Sequence, residues 1–422
     1  MPDATPRPPA PTQPGWRRMV AVATTPPYSW YLAGEVADTL GVWMQRLALG
    51  WLVWELTRSP AWLGILSFLK FAPTIVLGLI GGVLADRMSR RTLVIGMQMT
   101  ALFKAVIITL LLWTGGLSIA ILVAIELLIG TAIALSQAAG RSLVNDLVPA
   151  DRLSSAIALD SVVFNVSTLV GPAVAGAVML AFDLTICFAV ITVLTTVHLV
   201  ILFLVVPRGR SRTAGEPESM LSAIVTATRY ALAHPGIGPM LALHLAFTLC
   251  ARPLIDMLPA YAGGVLHAGV DAVSLLTSAI GAGAITSGLW LASRRSHLGL
   301  CRIVLNGMLW MGLAMVAFAA APNLLVAAAL ALVIGAGMTV RAAGIQTLIQ
   351  LAAADHLRGR VLSFYGLVLN GGVALGAALM GALAEAMGLR WAIATMALVS
   401  LAIWAGVMTR RREIAAALEP AN

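Results

Sequence analysis

Eight charged residues stand in stretches that are otherwise apolar: Glu35, Asp38, Arg46, Lys70, Lys104, Glu126, Arg252 and Asp256. An ionised side chain at the centre of a bilayer costs about 2.5–3.5 kcal/mol even on insertion scales, so each of these should face protein or water and have a task. Glu126 lies about midway along its stretch, and a carboxyl that gains and loses a proton while facing a cavity is what proton-coupled exchange requires. Glu35 and Asp38 are three apart, with Gln45 seven beyond Asp38, which places them roughly on one helical face with Gly41 between and Arg46 about two turns further on. Arg252 and Asp256 are four apart, a spacing that suits either a neutral bridge between the two or a shared role in a site. Lys70 and Lys104 are the only lysines of the chain. Cations in a cavity favour anionic or zwitterionic cargo and acids favour cationic cargo, so with both present the charge of a cargo stays open. Arg341 stands near the end of its stretch, where a long side chain can snorkel to the interface.

Other chemistries find no support. Cys187, Cys250 and Cys301 form no CxxC and have no histidine at ligand spacing, so packed thiols are expected rather than a disulfide framework or a zinc site. The chain has no HExxH, no G-x-S-x-G and no G-x-x-x-x-G-K-[ST] phosphate loop, and neither an enzyme nor an ATP-driven pump is indicated. No metal and no cofactor is expected.

The setting of these residues is set by composition. Of 422 residues, 60% are hydrophobic and 11% charged, where soluble domains carry about 25% charged residues, and the mean hydropathy is +0.94. This is a membrane protein. The net charge of +9 is spread over short islands between apolar runs, a pattern that orients a chain in a bilayer and leaves no footprint for nucleic acid.

A spanning helix needs about 20 mainly apolar residues. That ruler gives spans at 31–54, 63–85, 92–114, 117–138, 155–181 and 184–206, then 238–262, 270–292, 299–320, 323–345, 361–387 and 390–409. The expected fold is an all-α polytopic membrane protein with 12 transmembrane helices in two six-helix halves, 31–206 and 238–409. Residues 1–30 read as a disordered tail, 207–237 as a linker with a surface helix, and 410–422 as a second tail. With the N-terminus inside, the inner segments hold twenty of the 27 Lys and Arg and the outer ones two, Arg58 and Arg390, so both termini should be cytoplasmic. An echo at an offset of 204 supports the two halves: Leu147-Val-Pro-Ala-Asp151-Arg-Leu against Leu351-Ala-Ala-Ala-Asp355-His-Leu, and Arg90-Arg91 against Arg294-Arg295. With six spans in each, the repeat should be parallel.

Between spans 2 and 3 stands Gly82-Val-Leu-Ala-Asp86-Arg87-Met-Ser-Arg90-Arg91, and here the chain resembles the major facilitator superfamily, whose loop motif is G-x-x-x-D-R-x-G-R-R. Ser89 takes the place of the motif's second glycine. The stretches Leu40-Gly-Val-Trp-Met-Gln-Arg-Leu-Ala-Leu, Leu56-Thr-Arg-Ser-Pro, Asp146-Leu-Val-Pro-Ala-Asp-Arg-Leu and Leu357-Arg-Gly-Arg-Val are most similar to the bacterial siderophore-exporter and macrolide-efflux group. The resemblance implies a gating loop in which Asp86 faces the positive N-terminus of span 11 near Arg360, while Arg87, Arg90 and Arg91 pair with acids or anionic headgroups. In span 5, Ser167-Thr-Leu-Val-Gly171-Pro172-Ala-Val-Ala-Gly176 is similar to the G-x-x-x-G-P-x-x-G-G element of antiporters, with Ser167 and Ala175 in place of two glycines. An ordinary kinked packing helix is the other reading of it.

The resemblance implies a secondary active transporter of the bacterial plasma membrane, a proton-coupled antiporter exporting a small amphipathic molecule by alternating access. It is expected to work as a monomer in contact with the lipid bilayer, the small-molecule substrate and the proton. Import, uniport or lysophospholipid movement by the same fold are the alternatives, and a non-transporting sensor or scaffold is the remote one.

Overall fold

In the computed structural model, residues 15–140, 147–149, 152–206, 228–294, 296 and 298–419 are described, and among these the chain is helical with no strand. A short helix α1 (Gly15–Ala23) leads into α2 (Tyr28–Thr57), α3 (Pro60–Arg87), α4 (Arg90–Thr114), α5 (Ile119–Gly140), α6 (Leu153–Ala181) and α7 (Leu184–Val205). The second half holds α8 (Ile237–Cys250), α9 (Leu254–Ala260), a π turn (Tyr261–Val265), α10 (Val270–Ala292), α11 (Leu300–Ala319), α12 (Leu324–Ala352), α13 (Asp355–Met387) and α14 (Leu389–Met408), followed by α15 (Arg411–Leu418). Eleven of these segments are long and apolar enough to cross a membrane, α8 to the π turn counting as one. The twelfth span is α2, whose 30 residues suffice in length and which is more polar because it carries Glu35, Asp38, Arg46 and Glu55.

Local chemistry sets the breaks. Asp183 accepts from Ile186 N at 2.7 Å and caps α7, and Asn323 accepts from Val326 N at 3.0 Å and caps α12. Gly115 ends α4 at φ 70°, a left-handed conformation that a glycine adopts without strain. The seventh span is interrupted because Pro253 and Pro259 lack the N–H that would continue the ladder. Its backbone re-forms with Arg252 N on Phe247 O at 3.0 Å and Leu266 N on Tyr261 O at 3.0 Å.

Packing follows the repeat. In the first half α3 lies on α5, α4 on α7, and α2 on α6 and α7; six spans later α10 lies on α12, α11 on α14, and α8 on α13 and α14. The halves meet crosswise, α3 on α13 and α6 on α10, as a two-fold relation between parallel repeats demands. The bundle therefore has two distinct ends: one bears the α3–α4 turn, here called the motif end, and the other bears the α2–α3 turn, the far end. Toward the far end one apolar core runs across both halves, joining residues such as Leu52, Leu66, Leu258 and Val273. Toward the motif end the core splits into one cluster per half, around Tyr28 and Leu202 in the first and around Leu305 and Ile349 in the second.

Of the two expected tails, residues 1–14 and 420–422 lie outside the described residues, and the described parts each hold a short helix. Gly15–Ala23 is a helix and the first span begins at Tyr28, whose hydroxyl donates to Asp160 Oδ1 at 2.9 Å and lies 3.0 Å from Ala156 O. At the other end α15 buries Ile414 and Leu418, and Glu419 accepts from Gly299 N at 2.7 Å and Cys301 N at 2.5 Å. A carboxylate at the positive N-terminus of α11 satisfies two of its free N–H groups. Of the linker expected over 207–237, residues 207–227 lie outside the described residues, and 228–233 are helical.

Candidate functional site

Where the two halves meet, α2, α3, α5, α9 and α10 enclose a cavity of about 90 Å³ whose charged lining is Arg46, Lys70, Glu126 and Asp256. Arg46 reaches from α2 across to α9, where Nη2 lies 2.5 Å from Asp256 Oδ1, and Ser67 Oγ on α3 donates to Asp256 Oδ2 at 3.0 Å. One carboxylate of the second half is thus held by two helices of the first. The guanidinium also lies 5.4 Å from the Trp43 ring, within cation–π reach. Of the two readings open for Arg252 and Asp256, a direct bridge between them is not formed. The backbone between them passes through a turn at Ala251–Pro253 before α9 begins, so the regular i,i+4 approach is lost, and Arg252 Nη1 is buried without a hydrogen-bond partner.

Glu126 pairs with Lys104 of the neighbouring α4, and their side chains are only 2% and 3% exposed. The carboxyl expected to face a cavity lies in its wall and is held there in a dry ion pair. Lys70, by contrast, lines the cavity, and among the described residues its ammonium has no ion-pair or hydrogen-bond partner; the Phe71 ring lies 5.8 Å away, and Glu126 and Asp256 attract it from beyond bonding distance.

Asp38 belongs to a different cluster. Gln98 Nε2 on α4 donates to its Oδ1 at 2.8 Å, and His198 Nδ1 on α7 lies 3.0 Å from the same oxygen, off the line a hydrogen bond needs. Eight residues turn a helix by about 80° beyond two full turns, which is why Asp38 faces the interior of its own half while Arg46 faces the other half. Glu35, half-buried one turn toward the motif end, stays outside the cavity lining.

The gating-loop residues Gly82, Asp86, Arg87 and Arg90 have a described backbone, with α3 ending at Arg87 and α4 starting at Arg90, while their side chains lie outside the described residues. Arg91 donates to Phe203 O and Val206 O, each at 2.9 Å, and so caps the C-terminus of α7. The Gly-Pro element of α6 stands at the contact between the halves. Gly171 packs under Trp43 so closely that a Cβ would come within 2.6 Å of its Cβ, and Ser274 and Ser278 of α10 donate to Pro172 O at 2.8 Å and Leu169 O at 3.1 Å. A Cβ at Gly176 would meet Ser274 at 2.5 Å.

Sequence reasoning missed several residues of the interior. Arg341, read as snorkelling, is buried at 3% exposure; its Nη1 lies 2.5 Å from His244 Nδ1 and its guanidinium 3.5 Å from the Phe247 ring centre, while His244 stacks on Tyr365 at 3.9 Å. Histidines and glutamines inside spans were the available signal, since each has a polar group that must find a partner away from water. A second cavity, about 260 Å³ beside Pro27 and Pro149, lies within the first half and has no carboxylate in its lining.

Two six-helix halves meeting around a charged cavity define a transmembrane transporter of the major facilitator type. Residues 25–422 match the model of the transmembrane secretion effector family of that superfamily, and the chain belongs to this family. It is 24% identical over 144 residues to a staphyloferrin A transporter of Staphylococcus aureus (strain NCTC 8325 / PS 47), covering 34% of this chain and 36% of that one. It is 26% identical over 197 residues to the uncharacterised MFS-type transporter YfiS of Bacillus subtilis (strain 168), covering 46% of each. The matched stretches span about a third to a half of those relatives. Among solved structures, a bacterial homologue of the human lysosomal transporter Spinster, inward-facing and unoccupied, superposes with a TM-score of 0.70 at 16% identity over 94% of this chain and all of that one. A peptide transporter of the POT family in complex with sulfate gives a TM-score of 0.74 at 11% identity over 97% and 100%. These likenesses establish the fold. The family and its neighbours are transporters rather than enzymes, which implies a small-molecule substrate and a multi-pass place in a membrane.

Proposed function

We propose that the chain is a proton-coupled antiporter that exports a small amphipathic molecule from a bacterial cell, acting as a monomer in the plasma membrane with both termini cytoplasmic. The observation that carries this reading is the Arg46–Asp256–Ser67 bridge, which ties the two halves together inside the cavity. A proton on Asp256 removes the charge that holds Arg46, so protonation and separation of the halves are linked by one group, which is what coupled exchange needs. Glu126 is the second carboxylate of the lining, and its proton would release Lys104.

With the motif end cytoplasmic, the shared core lies on the outer side and the split cores on the inner side, as expected of a state closed toward the outside. A cavity of about 90 Å³ is smaller than the ~300–1,000 Å³ of ordinary ligand sites, so room for cargo comes from movement of one half against the other. The family resemblance favours export, and a staphyloferrin A transporter among the relatives favours a small metabolite as cargo. Asp86 would latch the motif end in the opposite state.

The test uses inside-out vesicles with an acidic interior and a pH-sensitive dye, to which siderophores, macrolides and lipophilic cations are added. Substrate-dependent loss of the gradient that disappears in Asp256→Asn supports proton-coupled export. Uphill transport of a cargo by Asp256→Asn, Glu126→Gln and Asp86→Asn at the normal rate would refute the assigned roles.

A further inference from the structure

Each half enters its first span in the same way. In the first, α1 is followed by Thr24-Thr25-Pro26-Pro27 and then by α2; in the second, helical residues 228–233 are followed by His234-Pro235-Gly236 and then by α8. Each of these corners lies against the loop between the fourth and fifth spans of its own half, and those loops are the echoing stretches 147–153 and 351–357. The two halves can therefore be compared at one place.

In the second half this junction is filled by the chain itself. The Ala354 N–H donates to the Tyr230 hydroxyl at 3.2 Å, and Leu418 of α15 lies so close over the corner that a Cβ on Gly236 would come within 2.5 Å of its Cγ. Ala231, Ala353, Leu357 and Leu418 share one buried cluster, with Ala353 only 3% exposed. Glu419, the next residue, places its carboxylate on Gly299 N and Cys301 N of α11. An aliphatic group followed by an anion thus closes the second half. In the first half the same junction is the cavity of about 260 Å³, walled by Val22, Pro27, Leu147, Val148 and Pro149 with Arg152 in its lining. Pro149, the counterpart of Ala353, is exposed there. Ser89 Oγ already accepts from Thr92 N at 3.1 Å and caps α4, the counterpart of α11. An anion at this junction is therefore left to Arg152. The level in the membrane follows from Trp30, 63% exposed near the start of α2, since exposed tryptophans at span ends lie in the headgroup layer.

We propose that the cavity between the α1–α2 corner and the α5–α6 loop binds an anionic phospholipid of the adjacent leaflet, with the phosphate at Arg152 and the first methylenes against Val22, Leu147 and Val148. A guanidinium and a phosphate form charge-assisted hydrogen bonds, and the apolar walls take the aliphatic part out of water. The lipid does for the first half what Leu418 and Glu419 do for the second: it pins the corner to the loop. The site is built from the first half alone and stands apart from the charged cavity between the halves.

The experiment places a single cysteine at the rim, Thr25→Cys, in a chain carrying Cys187→Ala, Cys250→Ala and Cys301→Ala. The protein is held in nanodiscs of phosphatidylcholine alone or mixed with phosphatidylglycerol, and the labelling rate is measured with an uncharged maleimide, which does not respond to surface potential. Phosphatidylglycerol is expected to slow labelling at least about fivefold, Arg152→Gln to remove the slowing, and Arg152→Lys to keep most of it. Leu147→Phe, which fills the cavity, should label slowly in both discs. Leu232→Cys, on the short helix of the second half, should label equally in both. Equal rates at Thr25→Cys in the two discs, the same slowing at Leu232→Cys, or a slowing unchanged in Arg152→Gln overturns the proposal. So does a lipid effect that persists in Leu147→Phe, a check that does not need the Arg152→Gln chain to fold. In phosphatidylcholine discs, protection by dissolved sn-glycerol 3-phosphate as strong as that by the lipid would make the occupant a soluble anion and overturn the lipid.

Discussion

Replacing Asp256 by Asn removes the one charge that links Arg46 of the first half to the second while keeping the size of the side chain. The lost interaction is an ion pair at 2.5 Å with side chains 20% and 14% exposed, supported by the Ser67 hydrogen bond at 3.0 Å. Charge-assisted hydrogen bonds contribute about 1.5–3 kcal/mol, and partial exposure places this one at the lower end, about 1.5–2 kcal/mol. If the bridge exists only while the far end is closed, that energy enters the closing equilibrium directly and corresponds to a shift of roughly 10- to 30-fold. A far-end-open state at about 1% in the native protein would then rise to roughly 10–20%. The assay is a distance distribution between spin labels at Arg58→Cys and Leu325→Cys, which stand on the far end of the first and second half. Ser67→Ala should shift the same distribution by a smaller factor than Asp256→Asn does, since one donor is lost while the ion pair with Arg46 remains. Unchanged distributions in Asp256→Asn would refute the reasoning, as would a double variant with Arg46→Ala whose effect is the product of the two single effects, because partners in one bridge must couple.

Other perturbations act on parts with separate physics. Lys104→Met alone should destabilise the protein by about 3–5 kcal/mol, because it strands Glu126 at 2% exposure, whereas Lys104→Met with Glu126→Leu should recover most of the loss; a double-mutant cycle of reversible unfolding checks this, and additive losses would contradict it. His234 accepts from Gly236 N at 3.1 Å and Ile237 N at 3.3 Å, and burial lowers its basicity below the usual histidine range. The neutral form is therefore the one the fold favours: its contribution is complete above about pH 6.5, the ordinary histidine value, and is lost as pH falls through the lowered value in the folded chain. Hydrogen exchange at the start of α8 should accelerate on acidification in the native protein and show no such dependence in His234→Asn. Gly64→Val should block closure of the far end, since a Cβ there runs into the Ala377 carbonyl and lies 3.1 Å from Gly381 Cα; the spin-label distances would show a far-end-open protein, and an unaltered distribution would remove α3–α13 contact from the account of closure.

Much of the architecture was legible in the sequence because bilayer crossing is a one-dimensional constraint. Apolar run length gave the twelve segments, and the 270–292 span coincides with Val270–Ala292 of α10. The Gly171-Pro172-Gly176 element was legible as a close-packing helix for the same local reason, since small residues and a missing N–H act where they stand. The ends were less legible. Gly15–Ala23 and Arg411–Leu418 are too short to announce themselves against polar neighbours, and α15 exists as a docked helix because Leu418 packs on Gly236 and Glu419 finds the N-terminus of α11.

Partner choice among the charged residues was decided only by the tertiary structure. Sequence placed Glu126, Lys104, Arg46, Arg252 and Asp256 inside the membrane, which follows from position along an apolar run. It could not say that Asp256 goes to Arg46, 210 residues away, in preference to Arg252 four residues away. That outcome depends on a backbone break at Pro253, on the azimuth of Arg46 around α2, and on the crosswise meeting of the halves. Ionic pairing falls off with distance in space, and distance in space is set by how helices pack rather than by how far apart residues lie along the chain.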